Sequence, residues 1–215
     1  MPLYTGHPYI FEMSLFSSEK FQKEEHLDLA NATVHYIPRF LTTETADDYF
    51  YKLYKKTKWQ QDDIKVYGKT YKQPRLTALY GEAGKSYSYS NITMHPAPFT
   101  PTLLEIKRKV EKTCHANFNI VLLNLYRYGS DSNGWHSDDE KELGPNPTIA
   151  SVSLGEERKF QLRKKTDKKI RHNILLSHGS LLVMKGETQH FWQHQIPKTR
   201  KKVRPRINLT FRKII

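Results

Sequence analysis

The sequence predicts an α+β, mainly β chain: a β-sandwich or jelly roll with helices packed outside it. Three observations lead there. Two capped helical patterns precede residue 118. From Phe118 onward the apolar periodicity shortens to that of strands. Gly, Pro and Asn then punctuate a series of short apolar runs.

Residues 1–30 show no regular pattern and read as an N-terminal extension to a single domain over 31–215. Within the extension, Met13-Ser-Leu-Phe16 is a short apolar patch. It loosely resembles the Leu-Phe peptides that dock on sliding clamps, although packing on the chain's own surface is the favoured reading. The first helix is expected to start at Thr42 or Thr43. Glu44, Asp47 and Asp48 stand early and Lys55, Lys56 and Lys58 late, an order that suits the helix dipole. Ala46, Phe50, Leu53 and Tyr54 form its apolar stripe.

Residues 64–80 read as a hairpin turning at Tyr67-Gly68-Lys69, with Gly68 supplying the turn. Tyr80, Tyr87 and Tyr89 interleave with Lys69, Lys72, Arg75 and Lys85. That mixture suits a surface that stacks bases and neutralises phosphates, or a folded tyrosine cluster. Thr100-Pro101 opens a second helix whose Leu103, Ile106, Val110 and Cys114 share one face, so Cys114 reads as a packing residue. Residues 31–117 thus hold the helices and the hairpin region, and 118–215 the β core. Strand runs are expected at 120–126, 148–154, 174–176, 181–184 and 207–211.

Lys and Arg outnumber Asp and Glu by 35 to 22, giving a net charge of +13. A polyanion, nucleic acid first, is the expected partner, against the simpler reading of a solvated basic surface. The single cysteine excludes an intramolecular disulfide and fits a reducing compartment. No secretory h-region or membrane-spanning apolar run occurs. A soluble, intracellular monomer without membrane contact is expected, nuclear in a eukaryote or in the cytoplasm and nucleoid of a bacterium.

The chemistry concentrates after Asn124. In the last strand Arg206, Asn208, Thr210 and Arg212 alternate with Ile207, Leu209 and Phe211, so the polar residues share a face. Two guanidinium forks on one face suit a dicarboxylate. Asn124 and Tyr126 likewise share a face of their strand and offer an amide and a phenol. His136-Ser-Asp138 puts an imidazole and a carboxylate on one side of an extended segment. Two His and one carboxylate form the facial set of non-haem iron oxygenases, leaving positions open for a cosubstrate and O₂. His190 and His194 both precede Arg206, and the residue types leave the third ligand open between them.

These motifs together resemble the AlkB dioxygenase family, in the form that repairs alkylated duplex DNA. The likeness rests on Asn124-Leu-Tyr126, His136-Ser-Asp138-Asp139-Glu140, Ile149-Ala-Ser-Val-Ser-Leu154, His178-Gly-Ser-Leu-Leu182, His194, and Pro205-Arg206-Ile-Asn-Leu-Thr-Phe-Arg212. It runs from about residue 36 to the end. The resemblance implies a double-stranded β-helix (jelly-roll, cupin-like) core and oxidative demethylation of N-alkylated bases such as 1-methyladenine and 3-methylcytosine, with release of formaldehyde. Fe(II) would be held by His136, Asp138 and His194, the last lying 12 residues before Arg206. The cosubstrates would be 2-oxoglutarate and O₂. Asn124, Tyr126, Thr210, Arg206 and Arg212 would bind 2-oxoglutarate. Tyr67, Gly68 and Lys69 resemble a finger that fills the gap left by a flipped base. Tyr87, Ser88, Tyr89, Asp139 and Glu140 correspond to the lesion pocket. Lys198, Arg200, Lys201, Lys202 and Arg204 resemble a phosphate-contacting segment. The same iron chemistry would serve an RNA or single-strand demethylase, or an oxygenase of proteins or small molecules. A basic binding module without catalysis is the reading from another class, and one that has no use for the triad.

Overall fold

A computed structural model of the chain describes residues 24–66, 68–85, 87–89 and 92–215. Met13–Phe16 and Tyr67 lie outside the described residues. In chain order the elements are β1 (Glu25–Leu27), β2 (Thr33–Ile37), α1 (Thr43–Lys56), β3 (Asp63–Val66), β4 (Lys69–Lys72), β5 (Leu76–Gly81), β6 (Tyr87–Tyr89) and β7 (Ile92–Met94). There follow α2 (Pro101–Cys114), β8 (Ile120–Tyr126), β9 (Asn133–His136), a 3-10 turn at Lys141–Leu143, β10 (Ile149–Gly155), β11 (Arg158–Lys164), β12 (Arg171–Leu176), β13 (Ser180–Lys185), α3 (Thr188–Phe191), β14 (Trp192–Ile196) and β15 (Arg206–Arg212).

Two sheets form the core. The larger has seven strands in the order β1-β2-β13-β10-β15-β8-β5, and the smaller has four, β12-β11-β14-β9. Every pairing within them is antiparallel. This is the jelly-roll arrangement, with consecutive strands β10 to β14 shared between the sheets.

Helices α1 and α2 cover the outer face of the larger sheet. Thr42 caps α1 by accepting from Thr45 N at 3.3 Å, and Thr100 caps α2 by accepting from Leu103 N at 3.3 Å. Each such cap stabilises its helix by about 1 kcal/mol. Ala46, Tyr49 and Leu53 of α1 and Leu103, Ile106 and Val110 of α2 pack on Leu123, Leu125, Val152, Ile207, Leu209 and Phe211. The buried stripe of α1 therefore contains Tyr49, not Tyr54, which is exposed. Tyr49 turns inward because its phenol donates to Glu105 Oε1 of α2. Phe50 is only half-buried against the same cluster. Cys114 sits half-buried at the end of α2, and burial pushes its thiol up to about 11.

A second cluster fills the space between the sheets, where Leu122, Ile149, Leu182 and Met184 meet Phe160, Leu162, Ile174, Leu176 and Ile196. Strands β8, β10 and β15 are buried along their whole length because helices cover one face and the smaller sheet the other. Gly155 turns the chain from one sheet to the other at φ +90°, where a Cβ would lie 2.5 Å from Pro205 O.

The hairpin expected at 64–80 is shorter than its pattern. Only β3 and β4 form it, around Gly68 at φ +77°, while β5 joins the larger sheet beside β8. Tyr80 and Arg75 are consequently buried, not part of a basic stacking surface. Inside the segment expected as an extension, β1 adds an edge strand to β2, with Leu27 buried and His26 stacked on His35 at 3.9 Å.

Candidate active site: a metal triad beside a carboxylate-binding face

The inner face of the larger sheet carries most of the polar residues singled out above. Register places Arg206 opposite Tyr126, Asn208 opposite Asn124 and Thr210 opposite Leu122. On the other side, Thr210 faces Ser151 and Asn208 faces Ser153. Period-two alternation sends these side chains into the gap between the sheets, and their apolar neighbours out to the helices. Asn208 Nδ2 donates to Ser151 Oγ at 2.6 Å and Thr210 Oγ1 donates to Asn208 Oδ1 at 3.0 Å. This bonding, across to β10 and along β15, sets the positions of the face before any ligand arrives.

Arg206 is almost fully buried. Its Nη2 donates to Ser153 Oγ at 2.9 Å and its guanidinium lies 5.3 Å from the Tyr126 ring. Nε and Nη1 are buried with no hydrogen-bond partner among the described residues. Burial lowers this guanidinium to about 10, against the opposing influence of Tyr126. A buried cation with unmet donors is costly unless an anion joins it.

The smaller sheet supplies the triad. His136, the last residue of β9, pairs across the sheet with His194 of β14, and the two rings are 4.2 Å apart. Asp138 follows two residues later. Ligand atoms of His136, Asp138 and His194 all lie within 4.8 Å of one another. His136 Nδ1 is 2.7 Å from Gly134 O, so it carries the proton and leaves Nε2 as the lone-pair nitrogen. His194 stacks on Phe160 at 5.2 Å. Burial first, then the neighbouring His136, lowers His194 to about 3. Burial would raise Asp138, but Arg212, His194 and His136 outweigh it and hold the carboxyl at about 2. The set is thus one carboxylate and one firmly neutral imidazole, with burial also lowering His136. These are the protonation states that a divalent metal requires, so the donor set fits Fe(II).

Two supports of the triad carried no sequence signal. Gln189, fully buried on α3, accepts the Asp138 backbone N–H at 2.9 Å. Ser137 Oγ donates to Trp192 O at 2.9 Å. Arg212 bridges the two halves of the site, with Nη2 donating to Asp138 Oδ2 at 2.9 Å. Both partners are buried.

Triad and polar face line one cavity of about 410 Å³. Asn124, Tyr126, Arg206, Thr210, Arg212 and Glu140 all reach it. So does Arg75, whose Nε donates to Asn124 Oδ1 at 2.7 Å. With Arg75, Arg206 and Arg212 against Asp138 and Glu140, the lining is cationic and suits a small dianion. The fit to 2-oxoglutarate therefore rests on charge, on the unmet Arg206 donors and on proximity to the triad.

Other residues lie elsewhere. Asp139 does not line the cavity; it is half-exposed and paired with Lys165 at 2.9 Å. Gly68 and Lys69 stand at the exposed hairpin tip, while Ile64 of the same hairpin lines the cavity. Tyr87, Ser88 and Tyr89 form β6, paired with β7. His190 is exposed and apart from the triad. His178 instead accepts from Gly155 N at 2.8 Å and faces Asp47. Lys198, Arg200, Lys201, Lys202 and Arg204 are exposed on a segment held to Gly129 O by Thr199 N at 2.8 Å.

Comparison with known proteins places this geometry in a family. The sequence model of the 2OG-Fe(II) oxygenase superfamily matches residues 33–212. The bovine (Bos taurus) alpha-ketoglutarate-dependent dioxygenase alkB homolog 3 is 45% identical over 191 residues, covering 82% of this chain and 64% of that protein. The human DNA oxidative demethylase ALKBH2 is 39% identical over 180 residues, covering 79% of this chain and 69% of that protein. This chain thus spans slightly less than two thirds of the alkB homolog 3 relative. Among solved structures, that of OsALKBH1 superposes with a TM-score of 0.67 over 89% of this chain and all of its own, at 15% identity, a likeness of fold. With the family match, the identities and the His136–Asp138–His194 geometry together, the chain belongs to the AlkB family of 2OG-Fe(II) oxygenases.

Proposed function

We propose that this protein is an oxidative demethylase of N-alkylated bases in DNA, acting on duplex substrates and taking 1-methyladenine and 3-methylcytosine. The observation that carries the reading is the opening of the triad and the arginine face into one cavity. His136, Asp138 and His194 would hold Fe(II), and Asn124, Tyr126, Thr210, Arg206 and Arg212 would hold 2-oxoglutarate. Bound Fe(II), with 2-oxoglutarate and O₂, supplies the oxidant for hydroxylating an N-methyl carbon.

The chain's own residues do the rest. Arg212, bonded to Asp138, and Arg206, beside the Tyr126 ring, would supply the two guanidinium forks for the carboxylates of 2-oxoglutarate. The Gly134 carbonyl and Gln189 fix the orientation of His136 and the Asp138 segment. Leu122, Phe160, Leu176 and Met184 supply an apolar wall that limits water. The reaction balances as methylated base, 2-oxoglutarate and O₂ giving free base, formaldehyde, succinate and CO₂. The base must leave its duplex for its pairing-edge methyl to reach the cavity, and a lesion that already blocks pairing lowers that cost. The +13 charge, the exposed Lys198–Arg204 segment and the β3–β4 hairpin, with Gly68 and Lys69 exposed at its tip, support a nucleic-acid partner. No helix among the described residues is long and apolar enough to cross a membrane.

Anaerobic loading with Fe(II) and 2-oxoglutarate, then oxygen with methylated duplex and single-stranded oligonucleotides, tests the reading. Loss of one methylene mass from the oligonucleotide with matching succinate is expected, faster on the duplex. Equal rates would shift the reading to single strands or RNA. Succinate without repair would move the substrate to a protein or small molecule.

A further inference from the structure

Asp139 occupies an odd place. Its chain neighbours Asp138 and Glu140 both line the cavity, yet Asp139 points away and its Oδ2 takes Lys165 Nζ at 2.9 Å. Lys165 is well placed for this. It follows directly after β11, where its backbone N–H donates to Phe191 O at 2.8 Å, so its stem starts from a fixed point beside the triad strands. The ion pair is partly open to water, with side-chain exposures of 30% and 48%. It is therefore exchangeable, unlike the buried Arg212–Asp138 pair.

We propose that Lys165 is a stand-in cation for Asp139, displaced when a positively charged base enters, and that it thereby sets how strongly the site favours cationic over neutral lesions. This deepens the demethylase reading and rests on it. An alkylated base with a fixed positive charge replaces Lys165 on the carboxylate, so the charge of Asp139 is matched before and after entry. A neutral base cannot make that exchange and leaves the Lys165–Asp139 pair standing at the rim. Competition from Lys165 subtracts from the cation preference that a bare Asp139 would confer. Removing Lys165 should raise discrimination, and lengthening the cation's reach with arginine should preserve it.

The test compares oligonucleotides of one sequence carrying either 3-methylcytosine, a cation, or 3-methylthymine, which is neutral. For wild type, Lys165→Met and Lys165→Arg, the ratio of kcat/KM on the two lesions is measured. The ratio of Kd values is measured without oxygen by fluorescence anisotropy. Lys165→Met is expected to raise both cation-to-neutral ratios by about two- to fivefold, the span of a partly exposed ion pair, with Lys165→Arg near wild type. Loss of rate on both lesions by one common factor would show a structural or phosphate-binding role and overturn the proposal, as would unchanged ratios. The oxygen-free Kd ratio decides the Lys165 proposal even if wild type repairs neither lesion, an outcome that would instead sink the demethylase reading. Should Lys165→Met fold poorly, Lys165→Gln reads the same ratios.

Discussion

The two sheets hold their functional side chains by different means. On the larger sheet, Arg206, Asn208 and Thr210 lie on a strand covered on both faces; Arg206 bonds Ser153, Asn208 bonds Ser151, and Thr210 bonds Asn208, each side chain to side chain. The smaller sheet turns one face to solvent, and its triad is oriented by the Gly134 carbonyl, two residues before His136 in β9, and by Gln189 on α3. A carboxylate-binding face can be built into a rigid core because charge and fork geometry suffice. A metal triad needs each ligand aimed separately, and here a backbone carbonyl and a helix side chain do the aiming. Arg212 joins the two regimes through Asp138.

Breaking that joint should have the largest effect. Asp138→Ala leaves the Arg212 guanidinium buried without its carboxylate and removes a metal ligand. Urea melts should show a loss of about 3 kcal/mol in the metal-free protein. Titration should show divalent-metal affinity falling more than about a hundredfold. Arg206→Met separates binding from stability. The Kd for 2-oxoglutarate should rise about thirty- to hundredfold, for the loss of about 2–3 kcal/mol of charged hydrogen bonds. The melting temperature without 2-oxoglutarate should hold or rise, since a buried cation with unmet donors has been replaced by an apolar chain.

Acidification strikes the smaller sheet selectively. Folded His194 titrates near 3 against an ordinary 6.5, so below pH 6.5 the unfolded chain takes up a proton that the folded one refuses. Its contribution is therefore full above pH 6.5 and declines as pH falls towards 3. Between pH 7 and pH 5 the metal-free protein should lose about 2 kcal/mol, read from denaturant midpoints. Asp138 adds a further loss only below its ordinary 3.8, down to about 2. The smallest expected effect belongs to Gln189→Ala, which should weaken divalent-metal binding about tenfold while leaving 2-oxoglutarate contacts on the larger sheet intact. If 2-oxoglutarate affinity at saturating metal fell equally, the division of labour between the sheets would be wrong.

The larger sheet was also the more legible in sequence. Arg206–Arg212 alternates strictly, and apolar outward positions flank polar inward ones, so one face of charged side chains follows from period two alone. The helix caps at Thr42 and Thr100 stand in plain residue patterns. The smaller sheet leaves far less trace in the sequence. In β11 the run Arg-Lys-Phe-Gln-Leu-Arg-Lys has two apolar residues among charges, and only the spacing of Phe160 and Leu162 marks it as a strand. Arg75 reads in sequence as a surface cation because its neighbours are basic. Its burial depends on β5 lying beside β8, a long-range contact with no local trace. Gln189 was invisible for the same reason, since its partner is a backbone amide 51 residues away. Tyr49 was displaced from the α1 stripe by Tyr54 because both fit a helical period, and only the position of Glu105 separates them.

The lone thiol has a chemical consequence. Thiolates, not thiols, react with methylating agents and with formaldehyde. Cys114, held near 11, stays protonated at neutral pH and sits on α2, against the opposite side of the larger sheet from the cavity. The electrophiles that would create this protein's substrate, and the one its reaction would release, find there a poor nucleophile. Under the proposed function, the chain's one thiol would thus resist the alkylating chemistry whose products the protein would repair.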